Sequence, residues 1–360
     1  MTATTSPRAA KAPRGVRLEV SRDLDAELPL LWRVGDAARR ADGELERSTL
    51  EGFSAYYRHL EHCDPETDIV LAWRGSDVVG YARVEWNDTT DGERWYECVG
   101  MVHPAARRQG IGARLLAWGE GRLREIITSH EARGIALDRP RWIVTNNHDR
   151  DLGGEVLLRS NGYAPFRRFH SMRRSTLADV ADVPLPDGFG IRPIPFERGP
   201  IERVVAADTE AFRDHFGALD DVASVVDQMM GNPRTDTSLW VIAVDADEIA
   251  GGVLNAIRDG HDGAAIGWLD SIFTRRPWRR RGLARALIAR SLVILRDRGV
   301  ATAALGVDVS NPNQALRLYE SCGFEVASSS TAFRKPVSAL WTPEAMAGTA
   351  RSNRTSVAVR

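Results

Sequence analysis

Apolar residues along the chain fall into two rhythms that alternate in a fixed order. In the second half, 239–244 and 249–254 are short runs rich in Val and Ile. The turn residues Asp245 to Glu248 part them, so they predict two hairpin-paired strands. The run 268–274 predicts a third. Over 284–298 the rhythm changes: Leu287, Ile288, Leu292 and Leu295 recur at helical spacing, and Gly299 supplies a stop. A strand at 303–307 and a helix over 312–321, with Pro312 in its first turn, complete the set. The first half runs through the same order, with strands at 69–73, 78–86 and 95–102 and a helix at 111–131. Strands interleaved with helices in this way predict an α/β (α+β) domain of about 150 residues, present twice.

Short repeats support the duplication. Arg107-Arg108-Gln109-Gly110-Ile111-Gly112 matches Arg279-Arg280-Arg281-Gly282-Leu283-Ala284 at an offset of 172 residues, each between a strand-like run and a long helical one. Asn161-Gly162-Tyr163 matches Cys322-Gly323-Phe324 at an offset of 161. The 11-residue difference predicts an insertion in the first half, most simply between Glu131 and Asp151. The expected organisation is a mobile N-terminus at 1–14, rich in Ala, Thr, Pro and Arg, followed by a first domain over 15–176. A linker at 177–189 holds Pro184, Pro186, Gly188 and several Asp. A second domain spans 190–336, and a flexible tail covers 337–360.

Composition narrows the function classes. A chain of 360 residues suits two domains. Its formal net charge is −1, with 27 basic and 26 acidic side chains in residues 1–176 and 21 and 23 in residues 177–360. Neither half is a polyelectrolyte, which argues against nucleic acid or a membrane surface as partner. No apolar run approaches the roughly 20 residues that span a bilayer. No apolar core follows Arg8, Lys11 and Arg14, so a cytoplasmic protein is expected. Cys63, Cys98 and Cys322 are too scattered for a disulfide framework or a zinc ribbon, and His59, His62 and Cys63 read as a helix flank, so no metal is expected. Only two of the 48 basic residues are lysine, Lys11 and Lys335, which suggests a GC-rich bacterial genome.

The stretch from Arg279 to Ala284 is where chemistry concentrates. A strand ends, two small residues stand two apart, and a long helix begins. Small residues admit close backbone approach, and the exposed N–H groups of a helix start bind anions, so this is pyrophosphate geometry. Arg275, Arg276, Arg279, Arg280, Arg281 and Arg285 add a local basic cluster suited to further phosphates, or to a solvated helix start. The familiar phosphate loops do not fit. No G-x-x-x-x-G-K-[ST] sequence is near, and Gly110-Ile111-Gly112-Ala113-Arg114-Leu115 lacks the third glycine of a dinucleotide fingerprint.

The R-x-x-G-x-G/A turn resembles the acyl-CoA signature of the GCN5-related N-acetyltransferases. Val102-His103-Pro104-Ala105-Ala106-Arg107 is similar to that family's V-x-P-x-x-R lead-in, and the segment from Asn311 to Phe324 to its N-x-x-A-x-x-L-Y-x-x-x-G-F motif. The resemblance covers roughly 16–175 and 190–336, and the tandem arrangement is similar to that of mycothiol synthase and related two-domain members. It implies two mixed, mostly antiparallel sheets flanked by helices, acetyl-CoA as co-substrate without a metal, and acetyl transfer to a primary amine of a small molecule or peptide. It further implies that the backbone of Arg279, Arg280, Arg281, Gly282, Leu283 and Ala284 holds the pyrophosphate. The strand through Ile272, Phe273 and Thr274 would align the pantetheine arm and offer an N–H to the developing oxyanion. Val102, Arg107, Arg108, Gln109, Gly110, Ile111 and Gly112 are the matching cofactor positions of the first half.

Within this resemblance Tyr319 is the general acid for the CoA thiolate, or a packed core tyrosine. Asn311 positions the cofactor arm, caps its helix, or does both. Asp270, two residues before Ile272 and so expected on the same strand face, is a proton acceptor or a strand-end aspartate. His215 is an acceptor-pocket residue or a surface-loop histidine. The halves differ: Leu158 stands at the position of Tyr319, Cys98 at that of Asp270, and Glu97 is expected on the opposite strand face. The reading is therefore a catalytic second half beside a first half that binds CoA or only supports structure. A non-catalytic acyl-CoA-binding or regulatory protein built on degenerate domains is the alternative.

Overall fold

Alternate residues of the first apolar runs face opposite ways, and that alternation sets the layers. A computed structural model describes residues 15–89, 92–213, 222–310 and 315–341. In the first half β1 (Val16–Val20), β2 (Ile69–Arg74), β3 (Asp77–Asp88) and β4 (Arg94–Val102) pair antiparallel in that order. On one face Ile69, Leu71, Val78 and Tyr81 pack under α1 (Leu24–Asp42) and α2 (Leu50–Arg58); a short α3 (Pro65–Asp68) leads into β2. On the other, Val70, Ala72 and Ala82 pack under Ile111 and Leu115 of α4 (Ile111–Ala132). Then come β5 (Arg141–His148), parallel to β4, α5 (Leu152–Ser160) and β6 (Ala164–Arg174).

The second half repeats the plan. It holds β7 (Phe189–Ile191), α6 (Arg198–Phe212), α7 (Val222–Gly231), β8 (Val241–Asp245), β9 (Glu248–Asp259) and β10 (Ala265–Thr274). After these come α8 (Leu283–Asp297), β11 (Thr302–Asp308), α9 (Ala315–Ser321) and β12 (Glu325–Pro336). The eleven extra residues of the first half divide in two. α4 has 22 residues against 15 in α8, so seven prolong the helix, and four lengthen the turn to the next strand. The insertion thus begins inside the helix rather than after Glu131.

The two sheets are not separate. Among the described residues one 12-stranded sheet runs in the order β1-β2-β3-β4-β5-β12-β6-β11-β10-β9-β8-β7. The last strand of each half has crossed to the other: β12 pairs with β5, β6 with β11, and the two crossed strands pair with each other. The segment at 177–189 is laid on the second core, with Leu177 buried and Val180, Leu185 and Phe189 packed beside it. Nor does a loose tail begin at residue 337: Val337 and Leu340 are buried in the first core, and 342–360 lie outside the described residues. No helix among the described residues is long and apolar enough to cross a membrane.

Where β12 crosses, Lys335 donates to Glu120 of α4 at 2.6 Å and to the carbonyl of Asn161 at 3.2 Å, with its ammonium 4.5 Å from the Tyr163 ring. Both charged side chains are buried, 3% and 8% exposed. Each charge is tolerable there only because the other is present. Replacing Lys335 by Met is expected to cost about 3–5 kcal/mol, because it strands the Glu120 carboxylate. Thermal unfolding should show a large drop for Lys335→Met and substantial recovery for Lys335→Met combined with Glu120→Leu.

Candidate functional site

In each half the parallel strand pair opens like a wedge. β4 and β5 pair from Arg94↔Arg141 to Glu97↔Val144 and then part, although β4 continues to Val102 and β5 to His148. β10 and β11 do the same beyond Leu269↔Leu305. Backbone groups facing the opening have lost their ladder partners and must find others, such as a ligand's amides. At the wide end of each wedge stands the arginine-glycine turn. Gly110 and Gly282 have φ/ψ of 81°/1° and 82°/−3°, and Arg108 and Arg280 are left-handed at φ 61°. No side chain caps α4 or α8, which leaves the first-turn N–H groups to an anion.

The wedge of the first half encloses a cavity of about 290 Å³. Gly110 and Gly112 line its mouth, Asn146 and Thr145 one strand wall, and Leu157 and Leu158 its helical side. The matching hydrogen bonds place Leu158 and Tyr319 alike. Tyr163 N–H donates to the Leu158 carbonyl at 3.1 Å, as Phe324 N–H does to the Tyr319 carbonyl at 3.1 Å. Tyr319 is buried in the core cluster that holds Leu283 and Leu287 of α8 and Leu269 at the end of the strand pairing. Burial pushes its phenol up to about 12, so it stays protonated at neutral pH.

The first arginine of each turn is tied back to the protein, whereas Arg108 lines the cavity of the first wedge. Arg107 forks onto Asp42 of α1 at 2.6 and 2.7 Å. Arg279 donates to the carbonyls of Thr274 at 3.0 Å and Ala211 at 2.9 Å. Both tie a strand end to the helix behind it, and only their backbone remains for phosphate. Gln109 accepts from Arg74 at 2.6 Å, and the guanidinium of Arg281 lies 4.5 Å from the Phe189 ring. Phe273 is buried under α6, Ile272 packs toward α8, and the hydroxyl of Thr274 is buried without a partner. His215 and Asn311 lie outside the described residues.

Asp270 departs from the expected alternation. A β-bulge interrupts the β9–β10 register between Leu269 and Ser271. Two successive side chains, Asp270 and Ser271, therefore point away from α8. Asp270 does not share a face with Ile272; it is bonded to Arg258, which is also bonded to Glu46 of the first half. Burial raises its carboxyl to about 6 despite Arg258. β4 has no such bulge against β3, so Glu97 alternates with Cys98 and shares the face of Val99 and Met101. That is the face to which Asp270 belongs, the reverse of the expected phase.

This common face borders a second cavity, about 710 Å³, between the halves. The first half contributes Glu44, Tyr56 and Arg83, the second Met229, Trp240 and Asp270. Burial, helped by Asp42 and Glu46 and opposed by Arg39, raises the Glu44 carboxyl to about 7. The motif reading passed over Arg83 and Glu85, whose signal was charge inside apolar strand runs. It also passed over Asp208 of α6, which accepts from the Ser271 hydroxyl and is raised to about 6 by burial. Asp208 stands 172 residues after the buried Asp36, at the offset of the repeat itself. His62 stacks on Trp86 at 3.6 Å, and no described group of three or more His, Cys, Asp or Glu could hold a metal ion.

The acetyltransferase (GNAT) family model matches residues 39–135 and 203–324. A mycothiol acetyltransferase of Streptomyces scabiei is 30% identical over 89% of this chain and 96% of its own. One of Thermobispora bispora is 28% identical over 86% and 96%. A GCN5-related N-acetyltransferase from Sphaerobacter thermophilus superposes with a TM-score of 0.69 at 25% identity, over 91% of this chain and 97% of that one. A tandem GNAT protein from the clavulanic acid biosynthesis pathway reaches 0.67 at 15% identity, over 89% and 98%, and shares the fold.

A side chain at either turn glycine would force a left-handed residue at a cost of about 1–2 kcal/mol. Gly110→Ala and Gly282→Ala are each expected to destabilise the fold by about that amount, which a lowered thermal unfolding midpoint of each variant checks.

Proposed function

The chain belongs to the GCN5-related N-acetyltransferase family and is an N-acetyltransferase, and we propose that it moves the acetyl group of acetyl-CoA to the primary amine of a small molecule, with Tyr319 and Asp270 of the second half as acid and base. The two halves, 15–176 and 190–336, then act as two cofactor-binding units. The observation that carries the assignment is the equivalence of Tyr319 with Leu158. The matching position in the first half lines the wedge with a leucine, and the second half carries a phenol at that position.

In this reading the backbone at Gly282, Leu283 and Ala284 holds the pyrophosphate, and the freed edge of β10 at Ile272–Phe273–Thr274 aligns the thioester. The amine enters from the cavity between the halves. Asp270 lines that cavity and takes the ammonium proton; its raised carboxyl is still ionised at neutral pH, where the amine must lose a proton to become a nucleophile. The C–N bond forms, the C–S bond breaks, the Tyr319 phenol protonates the departing thiolate, and the second proton that the nitrogen loses restores the phenol. Relatives named for mycothiol acetylation support a small polar acceptor. The mix of arginines, carboxylates and aromatic rings in the cavity suits one.

Tyr319→Phe is expected to lower turnover by about 100-fold or more while leaving acetyl-CoA affinity intact. Thiol release across a panel of amino sugars, polyamines and amino-acid amides checks this, and unchanged turnover removes Tyr319 from the mechanism. Because the Asp270 carboxyl must be ionised to act, kcat/KM should rise with pH through about 6. Asp270→Asn should abolish that limb.

A further inference from the structure

The walls of the cavity between the halves differ in chemistry. At one place Asp270 and Glu46 share the guanidinium of Arg258, which is bonded to both. Two carboxylates against one cation leave that place short of positive charge, which suits an ammonium. The second half adds an apolar wall of Met229, Trp240 and Leu254, the last two only 7% and 3% exposed.

The first half supplies the opposite charge. Of the arginines lining the cavity, Arg83 closes on Glu85, Arg234 on Asp259 at 3.0 Å, and Arg258 on its two carboxylates. Arg39 and Arg47 close on none. Their nearest carboxylate oxygens lie 3.8 Å away on Glu44 and 3.7 Å away on Asp36, too far for hydrogen bonds. Arg39 donates to the Ser48 hydroxyl at 2.8 Å. Among the described residues Arg47 finds no hydrogen-bond acceptor for its guanidinium, which lies 5.8 Å from the Trp32 ring. Ser48, Thr49 and Gly52, at the N-terminus of α2, line the same wall and add the positive end of a helix dipole. Glu44, raised to about 7 by burial, carries only part of its charge at neutral pH and offsets little of this. Arg83 is 5% exposed and its Nε is a further donor of this wall without a partner, which is costly unless something else accepts from it. Glu46 and Arg47 are consecutive, so the negative and positive places are close enough for one compact molecule to span.

We propose that the acceptor is an amino acid with an apolar side chain. Its ammonium is drawn to Asp270, its carboxylate is held by Arg39 and Arg47, and its side chain lies against Met229, Trp240 and Leu254. The proposal rests on the acetyltransferase reading given above and names the acceptor class of that site. Guanidinium groups present forked N–H donors that match a carboxylate. An acceptor of the same shape without the carboxylate leaves those donors unpaired, and unpaired site donors are what give strong discrimination. Arg39 and Arg47 are then specificity-determining residues with no part in the proton transfers.

The test compares leucine and phenylalanine with their amides as acceptors for the full chain with acetyl-CoA, read as thiol release. The amides lose their ammonium proton more readily, so reactivity alone favours them. Even so, kcat/KM should favour each acid by about tenfold or more. Arg47→Gln alters a side chain that is 42% exposed, so the fold should tolerate it. It should cut the preference by about tenfold, through KM rather than kcat. Isocaproate, which is leucine without its amine, should compete with leucine in the unaltered chain, and isocaproamide should not. Amides used as well as acids, a preference that Arg39→Gln and Arg47→Gln both leave intact, or equal competition by isocaproate and its amide overturns this proposal. So does turnover of other amines but of neither acid. In each of these cases acetyl transfer itself still stands. No turnover of any amine by the unaltered chain overturns both.

Discussion

The buried contact between Lys335 and Glu120 fixes how everything else is arranged. β12 can lie beside β5 only if its lysine finds a carboxylate under α4, and Glu120 can be buried there only if that lysine arrives. Secondary ties follow the same seam. Arg167 of β6 meets Asp308 of β11 at 2.6 Å, and Arg124 of α4 donates to the Leu340 carbonyl at 2.8 Å. The crossing of the last strands makes one sheet out of two and sets the distance between the wedges.

Once the halves are joined this way, the space between them becomes chemically shared. Glu46 of the first half holds Arg258, and Arg258 holds Asp270 of the second. The guanidinium of Arg258 also lies 5.2 Å from the Trp268 ring, which limits its freedom. The main chain follows suit: Arg47 N–H donates to the Asp259 carbonyl at 2.7 Å. The carboxyl assigned as base in one half is thus oriented by the other, so the cavity is a joint product of both halves. The first half contributes to the second half's site even where its own wedge is not engaged.

Much of this was legible in the sequence. The period-two and helical runs located β2 to β4, β8 to β11, α4, α8 and α9, and the arginine-glycine turns pointed to helix starts that recur with nearly identical dihedrals. The offset of 161 equated Leu158 with Tyr319, and their hydrogen bonds agree. What escaped was non-local. A bulge adds one residue without changing composition, so strict alternation misassigned the faces of Asp270 and Glu97. Strand exchange conserves every local preference and shows only in pairing. The roles of Arg107 and Arg279 as ties could not be read, because an arginine beside a phosphate turn looks the same whether it meets phosphate or Asp42. Charged residues within apolar strands, Arg83 and Glu85 above all, were the readable mark of a buried polar site.

The crossed strands also constrain how the chain is made and how it can evolve. The edge of β5 stays open until β12 has been synthesised, so the first half emerges with its sheet incomplete and waits for its partner. A stop shortly before β12 would damage the half encoded farthest from it. The two halves can therefore differ in their chemistry, while each depends on the other's last strand to complete its sheet.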